Sequence, residues 1–416
     1  MLSSLAKKYY YKWSLTADER VVLLLPPATL LFPQSAAACL MAIALVLLFT
    51  RFRDYKAIFS IVPALVRSPL AVTAGLFLIW VDLSCLWSPV PEVSATRLFK
   101  TLTMVAATVF LLAVAATERL SGDRSMRFMS AITVLCAALT ALLIVTYPQV
   151  GTLLGIRLTD RQFHRIALIL ALLLPFIMAH LRYSLALRAG LCLPLIGAVF
   201  MTASETAKLA VLVAAASFLL ATLSWPTAIF IVAFACVFLT LLMPLLLPFL
   251  QSAIPAGLIA MLADAHAAER LAIWREHAQL IPLRPWHGWG IGSTRAVLDH
   301  VDPQTLMDLK ITPIVAIHSH NQILQIWLEL GAIGIGLFCA VLIAVVYRIN
   351  AMPPATRIAA LSLIATIYAI SVVGHGLWQS WWVALIGALL VLVLALERRE
   401  RQMQGIAAQA VTRIPA

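Results

Sequence analysis

Apolar runs long enough to approach the width of a bilayer, separated by short polar breaks, constrain this chain more than anything else in it. A helix needs about 20 residues to span the hydrocarbon. On that criterion twelve spans can be laid out, at 21–32, 36–50, 70–87, 98–117, 128–147, 166–180, 189–202, 207–223, 227–250, 322–347, 358–374 and 378–396. The chain is 62% hydrophobic and 12% charged, with a mean hydropathy of +0.98, which excludes an ordinary soluble domain. The expected fold is an all-α integral membrane protein of about twelve transmembrane helices with one large, partly helical outer loop. Three parts follow: a bundle of about nine spans over 1–250, the loop at 251–321, and three spans with a tail over 322–416.

Lys7, Lys8 and Lys12 lead into Asp18-Glu19-Arg20, with no compact apolar region ending at a small-residue cleavage site, so the first span is expected to be retained. All six cysteines lie in or beside apolar runs and none forms a CxxC pair. Neither a disulfide framework nor a zinc site is expected.

An even number of spans puts both termini on one side. Most of the basic residues, among them Lys7, Lys8, Arg51, Arg53, Lys56, Arg127, Arg348, Arg357, Arg398 and Arg399, fall in the segments of that side. The positive-inside rule makes it cytoplasmic. Arg157, Arg161 and Arg165 are exceptions: they stand four apart in the short outer connection 151–165, a spacing that stacks them on one helical face. Arg165 alone reads as a surface residue near lipid headgroups. As a set, three like charges against the insertion preference point to an anion, and arginine's fork of donors suits phosphate oxygens.

The only long hydrophilic insertion, 251–316, also faces outside. Residues 261–280 read as an amphipathic helix, with Arg270 and Trp274 on a common face. An exposed arginine lying over an indole is the bland reading of that pair. Pro285-Trp286-His287-Gly288-Trp289-Gly290-Ile291-Gly292 follows; its glycines allow close backbone approach, either to a ligand or to packing at the membrane surface. The loop ends in His318-Ser319-His320-Asn321 as the chain re-enters an apolar helix. Imidazole is the side chain best able to accept a proton near neutral pH, so this pair is the candidate general base. One of the two histidines can equally serve the loop's geometry, with Asn321 capping the helix.

In order, Arg270-x-x-x-Trp274, Gly288-x-Gly290-x-Gly292, His318-x-His320-Asn321-x-x-Leu324 and Glu329-Leu330-Gly331 resemble the O-antigen ligase and polymerase superfamily of bacterial inner membranes. The resemblance runs from the last span before the loop through the span after it. It departs at Ser204-Glu205-Thr206-Ala207-Lys208, where such proteins often carry a Ser-Arg or Ser-Lys pair; Lys208, one turn deeper, is expected to supply the charge.

The resemblance implies transfer of a glycan from an undecaprenyl pyrophosphate-linked O-antigen donor to a lipid A-core hydroxyl at the periplasmic face of a Gram-negative inner membrane. Membrane lipids are its surroundings, and neither nucleic acid nor cofactor enters. On this reading His318 or His320 is the base, and Arg157, Arg161 and Arg270, with Lys208, hold the pyrophosphate. His164, Asn321 and Arg284 complete the expected substrate-binding set. Direct displacement would invert the anomeric centre, and guanidinium charge would stand where other enzymes use a metal. Glu329 is expected to orient a neighbour or pair with an arginine. For His375, Trp378, Trp381 and Trp382 an aromatic belt is the default expectation.

A polymerase of the same superfamily would need the same donor site. A lipid-linked glycan transporter would distribute charge around a central cavity and repeat between halves, and neither pattern is visible.

Overall fold

The computed structural model describes residues 16–32, 35–51, 54–117, 122–154, 160–179, 183–255, 257, 266–311 and 319–411. Among them there is no strand. The helices are α1 (Ala17–Leu31), α2 (Ser35–Thr50), α3 (Tyr55–Val66), α4 (Pro69–Leu83), α5 (Pro91–Thr117), α6 (Gly122–Leu154), α7 (Asp160–Met178), α8 (Leu185–Phe200), α9 (Glu205–Leu223) and α10 (Trp225–Ala253). After them come α11 (Ala267–Leu280), α12 (Pro303–Asp308), α13 (Gln322–Asn350), α14 (Pro354–Val373) and α15 (Ser380–Val411). Each of the twelve expected spans coincides with a helix. Seven helical stretches among the described residues are long and apolar enough to cross a membrane. The chain is a multi-pass all-α membrane protein.

Two differences from the sequence reading have a physical cause. Helix α3 was not expected: it is 12 residues long, contains Pro63 and sits between charged flanks, so no window of spanning length detects it. Helix α6 begins at Gly122 and ends at Leu154, beyond the apolar run on both sides, because helices end where caps or packing end them and not where hydropathy falls. In the long loop the described part of the amphipathic stretch is α11, from Ala267.

Long-range contacts sort the helix ends into two groups. One group joins the α4–α5 turn to 285–294 and the start of α13, through the Trp80 indole N–H to Leu330 O and Ser94 Oγ to Ile291 O. The other joins the far ends of α5, α13, α14 and α15. There Arg398 donates to Ala115 O, Arg348 and Arg401 meet Glu397 at 2.5 and 2.9 Å, and Arg357 lies over Trp225.

Glu400 closes the N-terminus of α14. Its carboxylate accepts from Ala355 N at 3.0 Å, Thr356 N at 2.8 Å and Thr356 Oγ at 2.7 Å, groups that a helix start otherwise leaves unsatisfied. Pro353, at the cap position, has no side chain able to do this. Glu400→Ala is expected to cost about 1–2 kcal/mol, read as a lower thermal midpoint in detergent, with Glu400→Gln falling between.

Candidate active site

Helix α13 is broken. Gly331, at φ 64° and ψ −166°, lies far from helical geometry, so the carbonyls before it and the amides after it lose their partners within the helix. The glycine-rich turn supplies replacements. Trp289 N–H donates to Leu328 O at 2.9 Å and Gly290 N–H to Glu329 O at 2.7 Å. Past the break, Ala332 N–H donates to Pro285 O at 2.8 Å and Ile333 N–H to Trp286 O at 3.1 Å. An interrupted helix is tolerated at membrane depth only when its backbone is satisfied by the protein in this way.

Here the three glycines serve packing. A Cβ on Gly288 would stand 2.6 Å from Glu329 O, and one on Gly290 would stand 2.6 Å from Ser84 O. Trp289 is buried under the Arg284 guanidinium, 4.0 Å from its ring centre, whereas Trp286 is 69% exposed. Arg284, expected among the substrate contacts, is therefore placed on the turn that fills the break.

Glu329 is fully buried at this junction. One oxygen accepts from Thr294 Oγ at 2.5 Å and Gln325 Nε2 at 3.1 Å, and the other accepts the Trp378 indole N–H at 2.5 Å. Arg97 Nη1 stands 3.9 Å away, at ion-pair range. The expectation that Glu329 meets an arginine holds. The arginine's identity was missed, although Arg97 carries the same signal as Arg157, a cation on the side that charge bias disfavours.

Two turns earlier is the histidine loop. Asn321 caps α13, its Oδ1 accepting from Ile323 N at 3.0 Å and Leu324 N at 3.1 Å. The side-chain N–H groups of Asn321 and Gln322 are buried with no hydrogen-bond partner among the described residues. Unpaired buried donors call for an oxygen-bearing guest or water. His320 has φ 51° and is half-buried, with its ring donating to the Gly374 carbonyl. Burial, and then the nearby Arg270 guanidinium, hold this imidazole below the usual histidine value; the bond to Gly374 opposes them. Arg270 does not lie over Trp274: it donates to Val373 O at 2.8 Å, and Trp274 donates to Ser319 O at 2.9 Å. Both residues of α11 therefore clamp the ends of α14 and the histidine loop.

His318 and Arg157 lie outside the described residues, as does the side chain of Arg161. Half-buried His164 lies near the start of α7, and Arg165 covers the Trp381 ring at 4.7 Å. Lys208 is paired with Glu205 at 2.7 Å, so the acidic residue that broke the expected pattern holds the lysine said to replace it. The aromatic belt is corrected. Trp378, Trp381 and Trp382 are buried, facing Glu329, Gln379 and Gln322 through their indole N–H groups, with His375 edge-on to Trp381 at 4.7 Å. Hydropathy cannot separate a lipid-facing indole from one packed between helices.

Comparison with known proteins bears on this same region. Residues 190–339 match the model of the O-antigen ligase family. The matched segment runs from α8 into α13 and contains Lys208, Arg270, Arg284, His320, Asn321 and Glu329. The chain is 33% identical over 121 residues to a protein of Rickettsia prowazekii (strain Madrid E), 34% over 120 to one of Rickettsia felis, and 32% over 146 to one of Rickettsia bellii. All three are named as putative polysaccharide ligases. These alignments take in 28%, 28% and 34% of this chain. They span only 29%, 29% and 35% of the relatives' own length.

Proposed function

We propose that the protein is a membrane glycosyltransferase, an O-antigen ligase. It would move a glycan from undecaprenyl pyrophosphate to a hydroxyl of lipid A-core at the periplasmic face of the inner membrane, with both termini cytoplasmic. One observation carries this reading: within the segment that matches the O-antigen ligase family, half-buried His320 lies beside Arg270, with its pKa pushed below the usual histidine value, at the point where the long loop meets a broken apolar helix. A neutral imidazole can accept a proton, and the adjacent cation suits a departing pyrophosphate.

In this scheme the acceptor oxygen attacks the anomeric carbon as the bond to pyrophosphate breaks, inverting the centre. The hydroxyl proton passes to His320. Pyrophosphate would leave with its negative charge balanced by Arg270, by Arg157 of the α6–α7 connection and by Arg161 in the first turn of α7, with His164 three residues further on. Lys208 would contribute only by exchanging Glu205 for phosphate. The unpartnered amide N–H groups of Asn321 and Gln322 suit an acceptor or donor oxygen.

Reconstitution in nanodiscs with lipid-linked glycan and lipid A-core tests the reading. Glycan appearing on lipid A-core supports it. Glycan lengthening on the carrier lipid would make the protein a polymerase, and no transfer to either would reject the enzyme altogether. Arg161→Ala is expected to raise the apparent KM for donor about tenfold, and Arg188→Ala, on the opposite side, to leave it unchanged. Equal effects would reject the anion site.

A further inference from the structure

Gln325 and Glu329, two buried side chains of α13, reach across to the turn between α14 and α15, and the scheme above gives neither a role. Gln325 Oε1 accepts Leu377 N–H at 2.8 Å while its amide donates to Glu329 at 3.1 Å. Only one orientation of the amide satisfies both neighbours, since the first needs an acceptor and the second a donor. Glu329 in turn accepts the Trp378 indole N–H. From the far side, Thr294 and Arg97 hold Glu329 in place.

The residues gripped this way follow closely on Gly374, whose carbonyl receives the His320 ring. Between Val373 and Ser380 the chain is not α-helical. The direction of the Gly374 carbonyl is therefore set by whatever fixes this turn. Arg270 fixes its start at Val373 O; Gln325 and Glu329 fix its middle.

A neutral imidazole carries one proton, and a carbonyl against one ring nitrogen decides which nitrogen keeps it. We propose that Gln325 and Glu329 are positioning residues which, by anchoring the 374–379 turn, hold the Gly374 carbonyl against His320 and so fix which ring nitrogen is left to accept a proton. Its use in catalysis rests on the glycosyl-transfer reading; the tautomer itself does not. The charges acting on His320 are Arg270 and Glu269 of α11 and His266 at its N-cap.

The test uses the full-length protein, labelled with 15N-histidine, in lipid nanodiscs. His320 is identified by its loss in His320→Gln and followed from about pH 5 to 8, where histidine titrates. The parent is expected to show one neutral tautomer. Gln325→Leu and Trp378→Phe, the latter removing one N–H and keeping the ring, are expected to show two exchanging tautomers and a lower titration midpoint. kcat would fall about tenfold or more with KM unchanged. Ser217→Ala removes a buried 3.2 Å hydrogen bond to Ser362 and should reduce stability without altering His320.

An unchanged tautomer and midpoint in folded Trp378→Phe would overturn the proposal, as would the same result in Gln325→Leu. A single tautomer in the parent together with absent glycan transfer would reject the enzymatic reading and leave the positioning role standing.

Discussion

Gly331→Ala is expected to dismantle the junction at which the outer loop enters the membrane helices. At φ 64° and ψ −166° the residue occupies a region open essentially to glycine alone, and strain there costs a side chain about 1–3 kcal/mol. Space is the second obstacle. A Cβ would stand 2.5 Å from the carbonyl carbon and oxygen of Trp286 and 2.6 Å from His287 N, all of them backbone atoms that cannot swing aside.

Relief requires the 285–290 turn to withdraw, and with it go the hydrogen bonds that satisfy Leu328 O, Glu329 O, Ala332 N and Ile333 N. Each buried polar group left unpaired costs about 1–3 kcal/mol, so these groups together with the strain should cost about 5 kcal/mol or more and outweigh any gain in helix propensity. Gly336→Ala, five residues along the same helix with open space around it, should stay within about 1 kcal/mol of the parent. Thermal unfolding and size-exclusion profiles of the two variants in one detergent make the comparison. Equal stability would mean that the break is not locked by the turn.

His320→Ala is expected to reduce glycan transfer by about 10²–10⁴-fold, the range for loss of a general base, without loss of folded protein. The pH dependence gives a sharper test. Burial and Arg270 lower the pKa of His320 below the ordinary histidine value of about 6.5, so activity should fall only as acid protonates it below that value. Removing the guanidinium in Arg270→Gln lifts one of the lowering causes. The acid limb of the rate profile should then move up towards 6.5. A profile that stays in place, or moves to lower pH, would contradict the assignment of His320 as the group that titrates. If His318→Ala matched the loss and His320→Ala did not, the base would be His318.

Much of the fold was legible because its causes are local sums. The length of an apolar run decides whether a helix can cross a membrane, and twelve such runs became twelve helices. Asn321 could be read as a cap because a short acceptor side chain before an apolar run meets the free amides of the next turn. Helix α3 escaped because it is too short to make such a sum. Within the site, the motifs pointed to a loop, a histidine pair and a glutamate without showing how they meet.

What the sequence by itself determined is the class of molecule, the placement of nearly all its apolar helices, the clustering of basic residues on one side, and a set of polar residues at one end of the bundle. Tertiary structure alone decided that the glycine-rich turn completes a broken helix. It also brought Glu329 to Arg97, Thr294 and Trp378, and took the three tryptophans out of the lipid. The reason is physical. Hydropathy and charge are properties of neighbouring residues, whereas these contacts join positions 35 to 250 apart, and their partners are chosen by helix packing and by the cost of leaving buried backbone groups unpaired.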